Sequence, residues 1–68
     1  MIGLSERLKE LRVEKNLTQS ELGQLLSVSQ DTVSLWEKGK STPTVEYILK
    51  LCQIFHVSAD YLLGLSEY

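Results

Sequence analysis

The chain has 68 residues and a formal net charge of −2, and 43% of its residues are hydrophobic. This length provides for one domain with one small core, since a domain of this size buries only about 60% of the surface that its unfolded chain exposes. The sequence has no apolar run near the roughly 18 residues of a membrane span and no signal-peptide pattern, and its single cysteine cannot form an internal disulfide. We therefore expect one cytoplasmic domain over residues 1–68.

The charge is unevenly distributed along the chain. Residues 1–40 contain six basic and six acidic residues, whereas residues 41–68 contain one basic and three acidic residues. The net charge argues against a nucleic-acid partner, which is usually bound by a basic domain. The acidic excess nevertheless lies wholly in the C-terminal part, so basic residues and helix N-termini before residue 41 remain able to bind phosphates.

The first helix is indicated by Leu4, Leu8 and Leu11, which share one face at helical spacing. This pattern predicts helix 1 from about residue 3 to residue 15. Asn16 follows in the position of a left-handed C-terminal cap, a conformation that asparagine tolerates well.

Two short helices are predicted in the stretch from Gln19 to Lys38, at residues 19–26 and 30–37. Thr18 and Glu21 have the spacing of a capping box, and Ser29 is the cap of the next helix. Only a tight turn fits between the two helices, and Gly23 is small enough to let their backbones approach closely. Gly39 is placed to end helix 3.

A wide apolar arc marks the fourth helix. It follows the break at Thr42-Pro43, with Thr44 as its candidate cap. The width of the arc predicts that helix 4 is the central buried helix. Ser58 is the predicted cap of a short helix 5.

The two-helix stretch, together with Glu37-Lys38-Gly39-Lys40, Pro43 and Val57-Ser58-x-Asp60-x-Leu62-Leu63, resembles the lambda-repressor-like (Cro/CI-type, XRE) family of regulators. The resemblance covers nearly the whole chain. It implies an all-α, compact five-helix DNA-binding domain in which helices 2 and 3 form the helix-turn-helix. The chain departs from the family at Ser27, where glycine is frequent, so Ser27 must adopt an unusual backbone conformation or the turn must differ.

Helix 3 is the recognition helix that the resemblance implies. At roughly 100° per residue, Val33, Trp36 and Glu37 lie on an inward arc, and Trp36 is read as a core residue rather than a base-stacking platform. Asp31, Ser34 and Leu35 lie on the outward side, and Gln30 lies at the exposed N-terminal end. A glutamine can pair with adenine, an aspartate can accept from the cytosine amino group, and the apolar groups of threonine and leucine can contact a thymine methyl. The predicted base-reading residues are Gln30, Asp31, Thr32, Ser34 and Leu35.

Three of these assignments have a plainer alternative. Gln30 can be an ordinary surface residue, although the resemblance favours base reading. Asp31 also stabilises a helix N-terminus, and Leu35 also fits scattered surface hydrophobicity.

Phosphate contacts are expected around this surface. The resemblance and the two helix N-termini assign them to Gln19, Ser29, Lys38, Lys40, Ser41 and Thr42. Solvated loop lysines are the alternative for Lys38 and Lys40. The resemblance also implies a structural ion pair between Arg12 and Glu37, and the inward position of Glu37 supports it because a buried acid needs a partner.

Cys52 and His56 are four residues apart, a spacing that can bind metal. Zinc needs three or four protein ligands, and the sequence has no other cysteine or histidine. Cys52 lies in an apolar stripe without a basic neighbour to activate it. We therefore predict no metal, no cofactor, no catalytic residue and no enzyme.

These features predict a sequence-specific regulator of double-stranded DNA, acting as a repressor. It would bind a near-palindromic operator as a homodimer, with half-sites about 34 Å apart. Leu62, Leu65 and Tyr68 are the candidate dimer contacts, with packing inside one subunit as the alternative. A protein-interaction module on the same fold, such as an antitoxin-like partner, is the competing hypothesis, and the sequence does not identify such a partner.

Overall fold

The computed structural model describes residues 2–67, which form five helices and no strand. The helices are α1 (Leu4–Glu14), α2 (Gln19–Leu26), α3 (Gln30–Glu37), α4 (Val45–Phe55) and α5 (Ala59–Leu62). The predicted bounds of α2 and α3 are confirmed, and α1 is one residue shorter at each end because Gly3 and Lys15 are its caps. Within the described residues, no helix has the length and hydropathy of a membrane span.

The helix-turn-helix is defined by local hydrogen bonds. The Glu21 N–H donates to Thr18 Oγ1 over 3.0 Å, and the Thr18 N–H donates to Glu21 Oε1 over 2.8 Å, which confirms the capping box. Ser27 ends α2 with a φ of 61°, the left-handed conformation that was one of the two alternatives expected at this position. A Cβ atom on Gly23 would lie 2.7 Å from the Val28 carbonyl oxygen, so the turn packs directly against the α2 backbone.

One hydrophobic core holds the five helices together. The inward face of α3 is confirmed, because Val33 and Trp36 are both buried, and the Trp36 ring packs at a tilt against Tyr47 with centroids 5.5 Å apart. The buried apolar residues are Leu8, Leu11, Leu22, Leu26, Val33, Trp36, Ile48, Leu51, Phe55 and Leu62. Burying both anchors of α3 turns the opposite face of that helix toward solvent.

Helix α4 is not the central buried helix, and that prediction is wrong. Its buried residues are Ile48, Leu51 and Phe55, a single stripe, whereas Val45 and Leu49 are 74% and 55% exposed. The apolar arc was read as buried across its full width, but only one side of α4 packs against the core. Val45 and Leu49 of that arc are exposed apolar side chains instead.

The predicted caps differ in outcome. Ser58 caps α5 by accepting the Tyr61 N–H over 3.1 Å. Thr44 occupies the N-cap position of α4 in an extended conformation, but its side chain makes no capping hydrogen bond. Asn16 and Gly39 have φ values of 58° and 73°, which confirms their left-handed conformations after α1 and α3.

Candidate nucleic-acid interface

The outward face of α3 carries the residues that were predicted to read bases. Gln30 and Asp31 are exposed in its first turn, and Leu35 is 42% exposed one turn later. Thr32 and Ser34 are half-buried beside them. The structure therefore leaves Gln30, Asp31 and Leu35 open to solvent on one helix, with Thr32 and Ser34 only partly accessible, and exposed side chains at the start of a helix are what a base-reading surface requires.

The N-terminus of α3 is organised by Ser29. Its Oγ accepts the Thr32 N–H over 3.2 Å and lies 3.0 Å from Thr32 Oγ1, so the two hydroxyls also share a hydrogen bond. The cap predicted at Ser29 is confirmed. The Thr32 hydroxyl is thus engaged within its own turn.

A buried ion pair fastens the end of α3 to α1. Arg12 Nε donates to Glu37 Oε2 over 2.7 Å, and Arg12 Nη2 donates to Glu37 Oε1 over 3.0 Å. The two side chains are only 12% and 3% exposed. The hydrogen bond to Glu37 raises the pKa of Arg12 above its already high usual value, which favours the charged guanidinium. The pair that the resemblance implied is confirmed.

A line of hydrogen bonds leads from this pair to the surface. Gln19 Nε2 donates to Glu37 Oε1 over 3.1 Å, and Gln30 Nε2 donates to Gln19 Oε1 over 3.4 Å. Sequence reasoning assigned Gln19, Gln30 and Glu37 to three separate roles and missed this connection. A signal was available, because a carboxylate has more acceptor sites than one arginine fills.

The loop after α3 is pinned to the helix it follows. The backbone N–H groups of Lys40 and Ser41 both donate to the Leu35 carbonyl, over 3.0 and 3.3 Å. Lys38, Lys40, Ser41 and Thr42 are all exposed. The loop therefore presents two cationic side chains and two hydroxyls at the C-terminal end of α3, a composition suited to phosphate oxygens.

The two candidate dimer contacts within the described residues, Leu62 and Leu65, differ in exposure. Leu62 is 0% exposed and belongs to the core, so its prediction as an interface residue is wrong: its side chain has no surface to offer a second subunit. Leu65 is 69% exposed and remains a prediction. Tyr68 lies outside the described residues.

Cys52 and His56 have no metal-binding surroundings among residues 2–67, where no group of three or more histidine, cysteine or acidic side chains could hold an ion. Burial raises the pKa of the Cys52 thiol. The thiol is therefore less nucleophilic at neutral pH than an exposed cysteine.

The sequence is similar to that of known helix-turn-helix proteins. The sequence profile of a helix-turn-helix family matches residues 8–62. The HTH-type transcriptional activator BcrR of Enterococcus faecalis is 41% identical over 63 residues, which are 93% of this chain and 31% of BcrR. The HTH-type transcriptional regulator ImmR of Bacillus subtilis is 36% identical over 97% of this chain and 52% of its own length. The chain thus spans about a third to a half of these two relatives.

A solved structure resembles the whole fold. It is the crystal structure of the P22 c2 repressor in complex with synthetic operator 9T, with a TM-score of 0.88 and 30% sequence identity. The similarity covers 97% of this chain and 100% of that one. The same arrangement of helices therefore occurs in a repressor that has been seen on its operator.

Proposed function

The chain belongs to the lambda-repressor-like (Cro/CI-type, XRE) helix-turn-helix family, and we propose that it is a sequence-specific regulator of double-stranded DNA in the cytoplasm. The observation that carries this proposal is the sidedness of α3. Val33 and Trp36 are buried, whereas Gln30, Asp31 and Leu35 face solvent together. A helix with this division can lie in the major groove with its N-terminal residues on base edges.

Each part of the surface has its own task in this proposal. Gln30 reads adenine through N6 and N7, and Asp31, an acceptor only, reads a cytosine amino group. Leu35 contacts a thymine methyl group. The loop of residues 38–42 and the N-terminal ends of α2 and α3 bind phosphates, which fix the register but carry no sequence information.

A homodimer on a near-palindromic operator is the assembly that we propose. One short helix reads only a few base pairs, and two copies related by a two-fold axis would read half-sites about 34 Å apart. The exposed Leu63 and Leu65, which follow α5, offer apolar surface for the contact. We propose repression as the outcome, in line with the P22 c2 repressor, although BcrR is an activator.

The experiment is selection of bound duplexes from a random pool with the purified protein, followed by affinity measurements with variants. A two-fold symmetric motif is expected. Gln30→Ala should relax the preference at one base pair per half-site and cost about 1–3 kcal/mol at the preferred base. Lys40→Ala should weaken all duplexes alike and reduce the salt slope by about one, whereas Lys9→Ala, an exposed lysine of α1, should leave the slope unchanged.

The competing role, a protein-interaction module on the same fold, predicts a different result. No duplex would be enriched, and binding to a partner protein would depend only weakly on salt. Either finding would refute the proposed function. If Gln30→Ala and Lys40→Ala acted alike on every duplex, the division between base and phosphate contacts would be wrong.

A further inference from the structure

A cleft separate from the recognition surface lies where the C-terminal ends of α1 and α4 meet the start of α5. Its volume is about 420 Å³, which falls within the range of roughly 300–1,000 Å³ that is usual for small-ligand sites. None of the described residues that line it belongs to α2, α3 or the loop of residues 38–42. We infer that the cleft binds a small aromatic amine, a role that goes beyond the proposed function and does not depend on it.

The apolar lining of the cleft includes two core residues. Leu11 and Phe55 are only 6% and 5% exposed, and Val57 and Tyr61, which are both half-buried, line the cleft beside them. Two of these four side chains are aromatic, and aromatic rings pack favourably against a further ring in an offset or edge-to-face arrangement. One planar ring is therefore the apolar group that suits this lining.

Local contacts hold the walls of the cleft in place. His56 ends α4 in the left-handed conformation, with a φ of 55°, which turns the chain out of the helix. The Val57 N–H then donates to the Cys52 carbonyl over 3.1 Å. On the α5 side, the guanidinium of Arg7 lies 3.9 Å from the centre of the Tyr61 ring. Because these contacts fix the lining before a ligand arrives, binding requires little further ordering of the protein.

The rim of the cleft favours a positive charge. Glu14 is exposed and is the one acidic side chain among the described lining residues, which include His56 but no lysine or arginine. Glu14 is the last residue of α1 and Phe55 is the last residue of α4, so both helices end at the cleft. The C-terminal end of a helix carries the equivalent of about half a negative charge. One carboxylate and two helix ends of the same sign complement an ammonium group and oppose an anion.

An ammonium group joined to an aromatic ring suits both parts of the cleft. The ring packs against the apolar lining, while the ammonium group stays at the rim, beside Glu14 and in contact with water. A charge that remains hydrated avoids the free-energy cost of burial. An aliphatic cation lacks the ring and an aromatic acid has the wrong sign, so the cleft should discriminate against both.

Titration of the isotope-labelled protein with phenethylamine, followed by backbone amide NMR shifts, tests the inference. We expect saturable changes at Glu14, His56, Val57 and Tyr61, with a dissociation constant on the order of 1 mM, as befits so small a ligand. Phenethyl alcohol, which keeps the ring without the charge, should bind about two- to fivefold more weakly, and phenylacetate should bind more weakly still. Methylamine, which keeps the charge without the ring, should produce no saturable change at these residues.

Glu14→Gln removes the charge at the rim and keeps the size of the side chain. It should weaken the binding of phenethylamine about two- to fivefold, the range of a solvent-exposed ion pair, and leave that of phenethyl alcohol unchanged. The control is Glu46→Gln, an exposed acid in the first turn of α4, roughly 14 Å along that helix from Phe55. The control should change neither affinity. Both variants should remain folded, because both side chains are exposed.

The inference is overturned if phenethylamine produces no saturable change at the cleft up to about 10 mM, ten times the expected dissociation constant. Equal binding of phenylacetate, or an unchanged amine affinity in Glu14→Gln, would overturn it as well. Amide shifts at the cleft that vary with protein concentration in the absence of amine would show that a second copy of the chain covers it, and would also refute the inference. Failure of the proposed function has a different signature, since the protein would then select no duplex while the amine titration kept its expected result.

Discussion

Replacing one member of the Arg12–Glu37 pair should be far more damaging than replacing both. In Arg12→Met the Glu37 carboxylate stays almost completely buried and loses both of its guanidinium hydrogen bonds. The Leu17 carbonyl also loses its donor, since Arg12 Nη1 lies 2.8 Å from it. The double variant Arg12→Met/Glu37→Met removes the stranded charge and fills the same space with apolar atoms.

The magnitudes distinguish the two outcomes clearly. Removing one partner of a buried pair costs about 3–5 kcal/mol, whereas replacing both by apolar residues of similar volume is often neutral or stabilising. A chain of this length has a free energy of unfolding of about 3–10 kcal/mol in total. The single variant should therefore lose much or all of its stability, and the double variant should recover about 3 kcal/mol of it despite the unpaired Leu17 carbonyl.

Urea unfolding followed by tryptophan fluorescence measures the free energies of unfolding of the single and the double variant, because Trp36 is buried in the same core. The stabilising contribution of a group whose native pKa is raised is fully present below its unfolded pKa, so the Arg12 contribution should not vary between pH 6 and pH 9. If Arg12→Met costs less than about 1 kcal/mol, or if the double variant is the least stable of the set, the pair is not a desolvated one and our reasoning fails.

Three further predictions concern stability and reactivity. Gly23→Ala should destabilise the fold by about 1–3 kcal/mol in thermal melts, since its Cβ would lie 2.7 Å from a backbone oxygen. Gly3→Ala meets no atom within 4 Å and should cost less than about 1 kcal/mol, through the poorer N-cap of α1 alone. Ser29→Ala should cost about 1 kcal/mol through loss of its cap, and Thr44→Ala, whose hydroxyl makes no cap, should cost nearly nothing; equal losses would contradict the hydrogen-bond assignment. Burial raises the pKa of the Cys52 thiol, so its alkylation by iodoacetamide should begin at higher pH in the native protein than in the urea-unfolded protein. If alkylation begins at the same pH in the native and the unfolded protein, the thiol pKa is not raised by burial.

The sequence was most informative where structure is local. The capping box of Thr18 and Glu21 follows from a spacing of three residues, and the inward position of Val33 and Trp36 follows from helical periodicity. The Arg12–Glu37 pair, 25 residues apart, was accessible only through the family resemblance. Local rules and a familiar pattern together were sufficient to place α3 and to identify its buried face.

What the sequence could not provide depends on neighbours that are distant in the chain. Leu49 and Leu51 lie about 200° apart around α4, and the apolar arc includes both, so the pattern did not show that only the Leu51 side is buried. Leu62 was named as a candidate dimer contact because the residue type alone does not show whether a leucine is exposed or buried. The hydrogen bonds from Gln30 to Gln19 and from Gln19 to Glu37 depend on which side-chain atoms face each other, and no periodicity specifies that orientation.

The central claim is that the outward face of α3 meets the bases while its inward face stays in the core. Titration of the isotope-labelled protein with its selected duplex, followed by backbone amide NMR shifts, tests this claim most directly. We predict that the largest changes fall on residues 29–35 and 38–42, with the exposed side of α4 at Val45 and Leu49 unaffected. Changes concentrated on α4, with Gln30 and Leu35 unmoved at saturation, would contradict the account.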